Sequence, residues 1–284
     1  MQTRREFINR GAMGMMALGL ARGAYAEKAP PSAFGVQLYT VRDLVKTDLP
    51  STLAAIRKIG YRSVETFSAQ YGGTSAKDLR TMILDADLKV PSAHFSYSDF
   101  GNRFEYAKEL GVTYMNCGNT LAGDDTSLDG FKRTAHQYNI WGEQAKSLGL
   151  RFSFHNHNVE FASFDGVTGI ETLLKETDPA LVEWQMDCYW VTQAGSDPVT
   201  LLKRYPNRIQ SLHVKDRKPG FPPSTSGPGS QHFTEAGKGT LNWPAIWSAA
   251  WADGVRYFFV EQDTTEIPPL DSLKISYDYL STHI

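Results

Sequence analysis

Leu53-Ala54-Ala55-Ile56-Arg57-Lys58-Ile59-Gly60-Tyr61-Arg62-Ser63-Val64-Glu65-Thr66-Phe67 is the stretch whose reading decides the fold. Leu53, Ile56 and Ile59 recur at helical spacing and form one apolar stripe. Gly60 ends the period, and the short run 63–67 is rich in β-branched and aromatic residues. A glycine after the last periodic residue enters the left-handed conformation at little steric cost, so it caps the helix and turns the chain into a strand. The unit is therefore the αβ turn of a parallel sheet.

Working outward in both directions, the same unit recurs. Strands are expected at 34–39, 63–67, 89–95, 113–117, 151–156, 182–187, 209–215 and 257–262, with helical patterns between them, as at 49–59 and 131–148. Gly111, Gly149 and Gly254 stand where Gly60 does. Doubly wound open sheets share this turn, but eight units favour closure into a (β/α)₈ TIM barrel, an α/β fold in a single domain.

The first residues are set aside from the fold. Arg4-Arg5-Glu6-Phe7-Ile8, a mildly apolar run at 11–20 and Ala24-Tyr25-Ala26 together resemble a cleavable twin-arginine export signal over residues 1–26. The apolar run is too short to span a bilayer. Cleavage leaves residues 27–284, close to the roughly 250 residues of one barrel, and predicts a periplasmic or otherwise exported protein with no membrane span.

The chain carries 29 basic against 31 acidic residues and no Lys/Arg run, which lacks the electrostatic footprint of a nucleic-acid binder. Its two cysteines, Cys117 and Cys188, are too few for a disulfide framework. They end strands that are not barrel neighbours, so they are expected to be unbridged. The connection 217–240 contains a stretch, 219–229, that lacks periodicity and is rich in Pro, Gly and Ser. A long connection after the seventh strand, on the face where barrels place active sites, reads as a lid or binding segment.

Barrel chemistry is expected at the C-terminal ends of strands. Those ends carry Glu65, His94, Asn116, His155, His157, Asp187, His213, Lys215, Asp216, Glu261 and Asp263. Five of the seven histidines, His94, His155, His157, His213 and His232, fall at such ends or in the adjacent long loop. His155, Asp187, His213 and Glu261 come from four successive strands. Two imidazoles and two carboxylates suit Mn²⁺, Zn²⁺, Co²⁺ or Fe²⁺ rather than Ca²⁺.

From Phe34 onward the sequence resembles the xylose isomerase-like barrel superfamily, the sugar phosphate isomerase/epimerase group that includes inosose dehydratases, ketose 3-epimerases and apurinic endonucleases. The matching pieces are Gly35-Val36-Gln37-Leu38-Tyr39-Thr40-Val41-Arg42, Ser63-Val64-Glu65, Ser92-Ala93-His94, Phe154-His155-Asn156-His157, Met186-Asp187-Cys188-Tyr189-Trp190, His213-Val214-Lys215-Asp216, Gly237-Lys238-Gly239-Thr240-Leu241-Asn242-Trp243 and Val260-Glu261-Gln262-Asp263. The resemblance implies a divalent metal held by Glu, Asp, His and Glu from the fifth to eighth strands. Asp187, His213 and Glu261 match the last three. The first is replaced by His155, a departure that resembles a subgroup carrying Tyr-His-Asn-His followed by Glu-Phe, here Glu160-Phe161.

A divalent cation chelating a carbonyl and its neighbouring hydroxyl acidifies the adjacent C–H and stabilises the enediolate. Glu160 is the first candidate for the base, followed by His157 and Glu65. Lys215 donates to the developing oxyanion or pairs with Asp216. Gln37, Tyr39, His94, Asn116, Trp190 and Lys238 are the expected substrate contacts, and Tyr39, Phe95, Tyr97, Tyr189 and Trp190 are expected to cluster in the mouth. The reading is a metal-dependent isomerase or epimerase, or a carbon-oxygen lyase, acting on a sugar, keto-sugar or polyol. A 3-keto-glycoside eliminase/hydratase and an inosose-type dehydratase are its variants. A non-catalytic sugar-binding barrel and an apurinic nuclease are the other classes, the nuclease disfavoured by charge and export. The expected partner is a small carbohydrate, with assembly into a homo-oligomer left open.

Overall fold

Residue alternation along each strand sets this architecture, since successive side chains point to opposite faces of a sheet. In a computed structural model, which describes residues 30, 33–67, 71, 73–119, 125–227 and 231–284, eight parallel strands close into a barrel. They are β1 (Phe34–Gln37), β2 (Ser63–Thr66), β3 (Lys89–Phe95), β4 (Tyr114–Cys117), β5 (Arg151–His155), β6 (Val182–Asp187), β7 (Ile209–Val214) and β8 (Tyr257–Val260). The order is sequential, with β1 closing against β8 through the register Gly35 to Phe259. The expected export signal lies outside the described residues. No helix among the described residues is long and apolar enough to cross a membrane.

Each strand falls where the sequence places it, but several end one or two residues early. At β1 the reason is local: Leu38–Val41 turns into a 3₁₀ helix whose Tyr39 N–H donates to the Gln37 side chain at 3.2 Å. The strand ends leave the ladder in order to build the mouth. Leu49–Ile59 is helical as read, and the helix expected at 131–148 spans Leu128–Ser147, because Ser127 accepts the Gly130 N–H and starts it a turn earlier. Gly60, Gly111, Gly149 and Gly254 all have positive φ, as the cap reading requires.

The outward faces of the strands carry the apolar core. Phe34 packs on Trp247, Phe95 on Phe100, Phe154 on Tyr138 and Trp184 on Tyr205. Each fully buried aromatic of this kind contributes about 2–3 kcal/mol relative to exposure. The lumen is instead polar, filled by Ser63, Ser92, Asn116, Ser153, Gln185 and Ser211, all buried. Cys117 and Cys188 are free and buried, as expected for β4 and for the residue after β6, with β5 between the two strands.

The segment after β7 is anchored rather than loose. Asp216–Arg217 pairs antiparallel with Phe233–Thr234. Arg217 Nε donates to Gln193 Oε1 at 2.7 Å, and Asn158 Nδ2 donates to the carbonyls of Ser224 at 2.8 Å and Gly227 at 2.6 Å. Asp216 accepts from Gly237 N–H (2.9 Å), Leu241 N–H (3.1 Å) and the Trp243 indole (2.9 Å). It therefore organises this loop and does not pair with Lys215, contrary to one of the two sequence readings.

Candidate metal centre

The centre begins with how each ligand side chain is aimed. Asp187 ends β6 and is the N-cap of the helix Cys188–Gln193, so its Oδ1 accepts the Trp190 N–H at 3.0 Å. That bond leaves Oδ2 facing the lumen. His213, on β7, turns Nδ1 to the same place, 3.8 Å from Asp187 Oδ2 and 2.8 Å from Glu261 Oε2. Glu261 follows directly after β8. One donor atom from each of Asp187, His213 and Glu261 lies within 4.8 Å of the others. His155, the last residue of β5, has Nε2 3.7 Å from Asp187 Oδ2, but its donor atoms group within 4.8 Å with those of His94 and His213 rather than with the Asp187–His213–Glu261 trio, so the four ligands read from sequence do not form one cluster.

The electrostatics are those of a buried anionic pocket closed by one ammonium. Lys215 Nζ sits 3.0 Å from Asp187 Oδ2, 2.7 Å from Glu261 Oε2 and 2.8 Å from Asp263 Oδ1. Burial disfavours its charge, but these carboxylates outweigh burial and hold the ammonium well above the usual lysine range. Burial likewise opposes ionisation of Glu261, yet Lys215 and His213 hold it below the carboxylate range. His213 is pushed up to about 10, burial opposing and Glu261 and Glu65 prevailing. His155 goes the other way, held well below its usual value by burial and by His213 and His157.

These residues fit a divalent cation. Asp187 Oδ2 meets Lys215 Nζ at 3.0 Å and His213 Nδ1 meets Glu261 Oε2 at 2.8 Å, so the donor atoms converge on one point, and His155 Nδ1 is buried with no hydrogen-bond partner. Leaving such an atom unmatched costs roughly 1–3 kcal/mol. The mixed imidazole and carboxylate set suits a transition metal of the kind read from sequence.

Above the donors opens a cavity of about 340 Å³. Among the expected substrate contacts, Gln37, Tyr39 and His94 line it. Asn116, Trp190 and Lys238 are not on its wall. Asn116 is wholly buried in the lumen and donates to Glu65 Oε2 at 2.9 Å. Trp190 packs against Tyr189 and Phe233 and stands behind the wall residue His157, whose ring centroid is 5.4 Å away. Lys238 lies outside the cavity, 3.9 Å from Glu235 and half exposed. Of the expected mouth aromatics only Tyr39 reaches the cavity wall, where its ring meets Phe67 edge-on at 5.4 Å; Phe95 packs among Phe100 and Tyr106, and Tyr97 on Trp141.

Of the proton-transfer candidates, His157 and Lys215 line the cavity. Burial and the neighbouring Lys215 lower His157 to about 3, which keeps it neutral. Glu160 is off the wall: its Oε2 accepts the His157 backbone N–H at 2.9 Å, Oε1 is buried without a partner, and burial raises its carboxyl to about 7. Glu65 is also off the wall, buried beneath His213 and His94. Neither carboxylate lines the cavity: Glu65 lies behind the wall residues Gln37 and His94, and Glu160 is buried within the 3₁₀ turn Val159–Phe161. Asp263 and Arg42 are wall residues to which sequence reasoning gave no role. For Asp263 the signal was present, a carboxylate two residues beyond Glu261 and so on the same side of an extended chain.

The profile of the family described as Xylose isomerase-like TIM barrel matches residues 53–282. The chain is 25% identical over 269 residues to the inosose dehydratase of Mesomycoplasma hyopneumoniae (strain 7448), covering 82% of this chain and 87% of that protein. It is 25% identical over 163 residues to the inosose dehydratase of Lacticaseibacillus casei, where the match spans about half, 54%, of either chain. A solved sugar phosphate isomerase/epimerase from Parabacteroides distasonis ATCC 8503 aligns with TM-score 0.74 and 26% identity over 92% of this chain and 98% of its own. An IolI protein with a bound zinc atom shares the fold at TM-score 0.69 and 16% identity, over 89% and 99% of the two chains. By the extent of its profile match and its closed eight-stranded barrel, the chain belongs to the xylose isomerase-like TIM barrel family.

Proposed function

We propose that the protein is a divalent-metal-dependent enzyme that removes a proton beside the carbonyl of a sugar, keto-sugar or polyol, and then either reprotonates the carbon skeleton or expels a β-hydroxyl. The observation that carries this reading is the convergence of Asp187, His213 and Glu261 beneath one polar cavity. Asp187, His213 and Glu261 would hold the ion, with His155 beside them, and Mn²⁺, Zn²⁺, Co²⁺ and Fe²⁺ all suit the set. When bound, it supplies Lewis acidity to the substrate carbonyl.

The remaining work falls to side chains on the wall. Gln37 and His94 offer hydrogen bonds to hydroxyls, and Tyr39 with Phe67 gives an apolar face for C–H groups. His157, on the wall, is the geometric choice for the base. Lys215, held charged and fixed by Asp263, donates to the developing oxyanion or to a departing hydroxyl. The similarity to two inosose dehydratases favours the elimination branch.

The test is hydrogen exchange in deuterated water, followed by NMR on a panel of keto-sugars and keto-inositols with metal-loaded protein. Exchange that disappears with chelator and in His213→Ala is the expected result. No exchange and no product with any carbonyl sugar would overturn the reading, and substrate binding without turnover would leave a sugar-binding barrel. We also propose that residues 1–26 export the protein by the twin-arginine route. A reporter fused after Ala26 should reach the periplasm, and Arg4→Lys with Arg5→Lys should retain it inside.

A further inference from the structure

Glu65 does not touch the cavity, yet it is the most heavily bonded side chain in the lumen. Its Oε1 accepts from Gln37 Nε2 at 2.9 Å and lies 2.6 Å from His213 Nε2 and 3.2 Å from His94 Nε2. Its Oε2 accepts from Asn116 Nδ2 at 2.9 Å, Gln185 Nε2 at 2.7 Å and Ser92 Oγ. Every neighbour whose role is fixed is a donor, from β1, β3, β4 and β6. Glu65 thus engages His213 Nε2 at 2.6 Å, and the nitrogen that faces Asp187 and Glu261, where a metal would sit, is Nδ1.

We propose that Glu65 is a positioning residue that selects Nδ1 of His213 as the ligand nitrogen and thereby sets the cation affinity of the Asp187–His213–Glu261 centre. This rests on the cation reading above and goes beyond it by assigning the orienting group. A carboxylate behind a ligand histidine fixes ring orientation and makes the ligand more basic. Here the carboxylate is itself immobilised from four strands, so the ring has one orientation.

The same geometry argues against a second ion. His94, His155 and His213 also form a trio with donor atoms within 4.8 Å of one another. An ion there that used His213 Nε2 would have to break the 2.6 Å contact with Glu65 and displace His94 from Gln185. An ion seated through those Nε2 atoms is therefore disfavoured, and one ion per chain is the expected stoichiometry.

The test uses full-length mature protein loaded with Zn²⁺ and labelled with ¹⁵N-histidine. Wild type should bind one Zn²⁺ per chain, with His213 showing a protonated Nε2 and a metal-shifted Nδ1. Glu65→Gln should weaken Zn²⁺ binding by about ten- to a hundredfold and alter the His213 Nε2–H signal. Ligation through Nε2, a second ion of comparable affinity, no Zn²⁺ binding by wild type, or Glu65→Gln binding Zn²⁺ as tightly as wild type would each overturn the proposal. The wild-type spectrum decides the ligand nitrogen even if the variant fails to fold. Zn²⁺ held through Nδ1 and weakened in Glu65→Gln, without sugar exchange, would uphold this inference while removing the proposed reaction; ligation through Nε2 with exchange intact would do the reverse.

Discussion

At the residue scale, Lys215 is the side chain on which the cation-free pocket depends. Three carboxylates lie within 3.0 Å of its nitrogen, and two of them, Asp187 and Glu261, also face the metal position. Replacing it with Met removes the only ammonium among them and leaves buried like charges. Breaking a buried pair in this way costs about 3–5 kcal/mol. Lys215→Met should therefore lower the urea midpoint of chelator-treated protein strongly, and added cation should recover more stability than it adds to wild type. An unchanged midpoint would mean that the carboxylates take up protons and do not rely on Lys215. The residue type was visible in the sequence as a choice between an oxyanion donor and an Asp216 partner. Its actual partners come from β6 and from the two residues spaced along the exit of β8, which no local pattern could connect.

At the element scale, helix starts are set by short polar caps. Thr168 and Glu171 form a full capping box at the head of Gly169–Glu176, with Glu171 also held by Arg204 Nη2 at 2.7 Å. Thr168→Ala should destabilise the protein by about 1 kcal/mol in denaturant unfolding. The Thr168 backbone N–H, ahead of the Thr168 hydroxyl and Arg204, holds the Glu171 carboxyl below its usual value. A depressed carboxyl stabilises above its unfolded-state value, and the contribution is lost as pH falls through the folded one. Glu171→Gln should accordingly lose stability near neutrality and show a shallower acid dependence than wild type. The long connection after β7 gives a second element-scale prediction. Asn158 clamps two of its carbonyls, so Asn158→Ala should speed amide exchange across 218–227 while leaving cation affinity unchanged, as read by exchange mass spectrometry. Sequence gave that segment as a loop after the seventh strand; the ribbon Asp216–Arg217 with Phe233–Thr234 was not legible, because its pairing is two residues long and its partners are distant.

At the scale of the whole molecule, a ligand that binds only the folded barrel must raise its stability by mass action. A divalent cation at a hundred times its dissociation constant should add about 2.7 kcal/mol, and chelator should return the melting temperature to its cation-free value. No shift with any of Mn²⁺, Zn²⁺, Co²⁺ or Fe²⁺ would remove the metal centre. The repeat of helix, positive-φ glycine and strand determined the barrel from sequence alone, because those signals are local: a stripe at period 3.6, a residue free to turn left-handed, a β-branched run. Strand-end position also singled out His155, Asp187, His213 and Glu261, since a parallel barrel delivers all its strand ends to one face, and of these the structure brings Asp187, His213 and Glu261 into one group. What only the tertiary structure decided is which side of the wall each polar residue occupies. Glu65, Asn116, Glu160 and Trp190 share the sequence credentials of His94 and Lys215, yet lie beneath or beside the cavity. Barrel closure, strand register and the tilt of each exit loop set that depth, and these are sums over all eight strands rather than properties of any one.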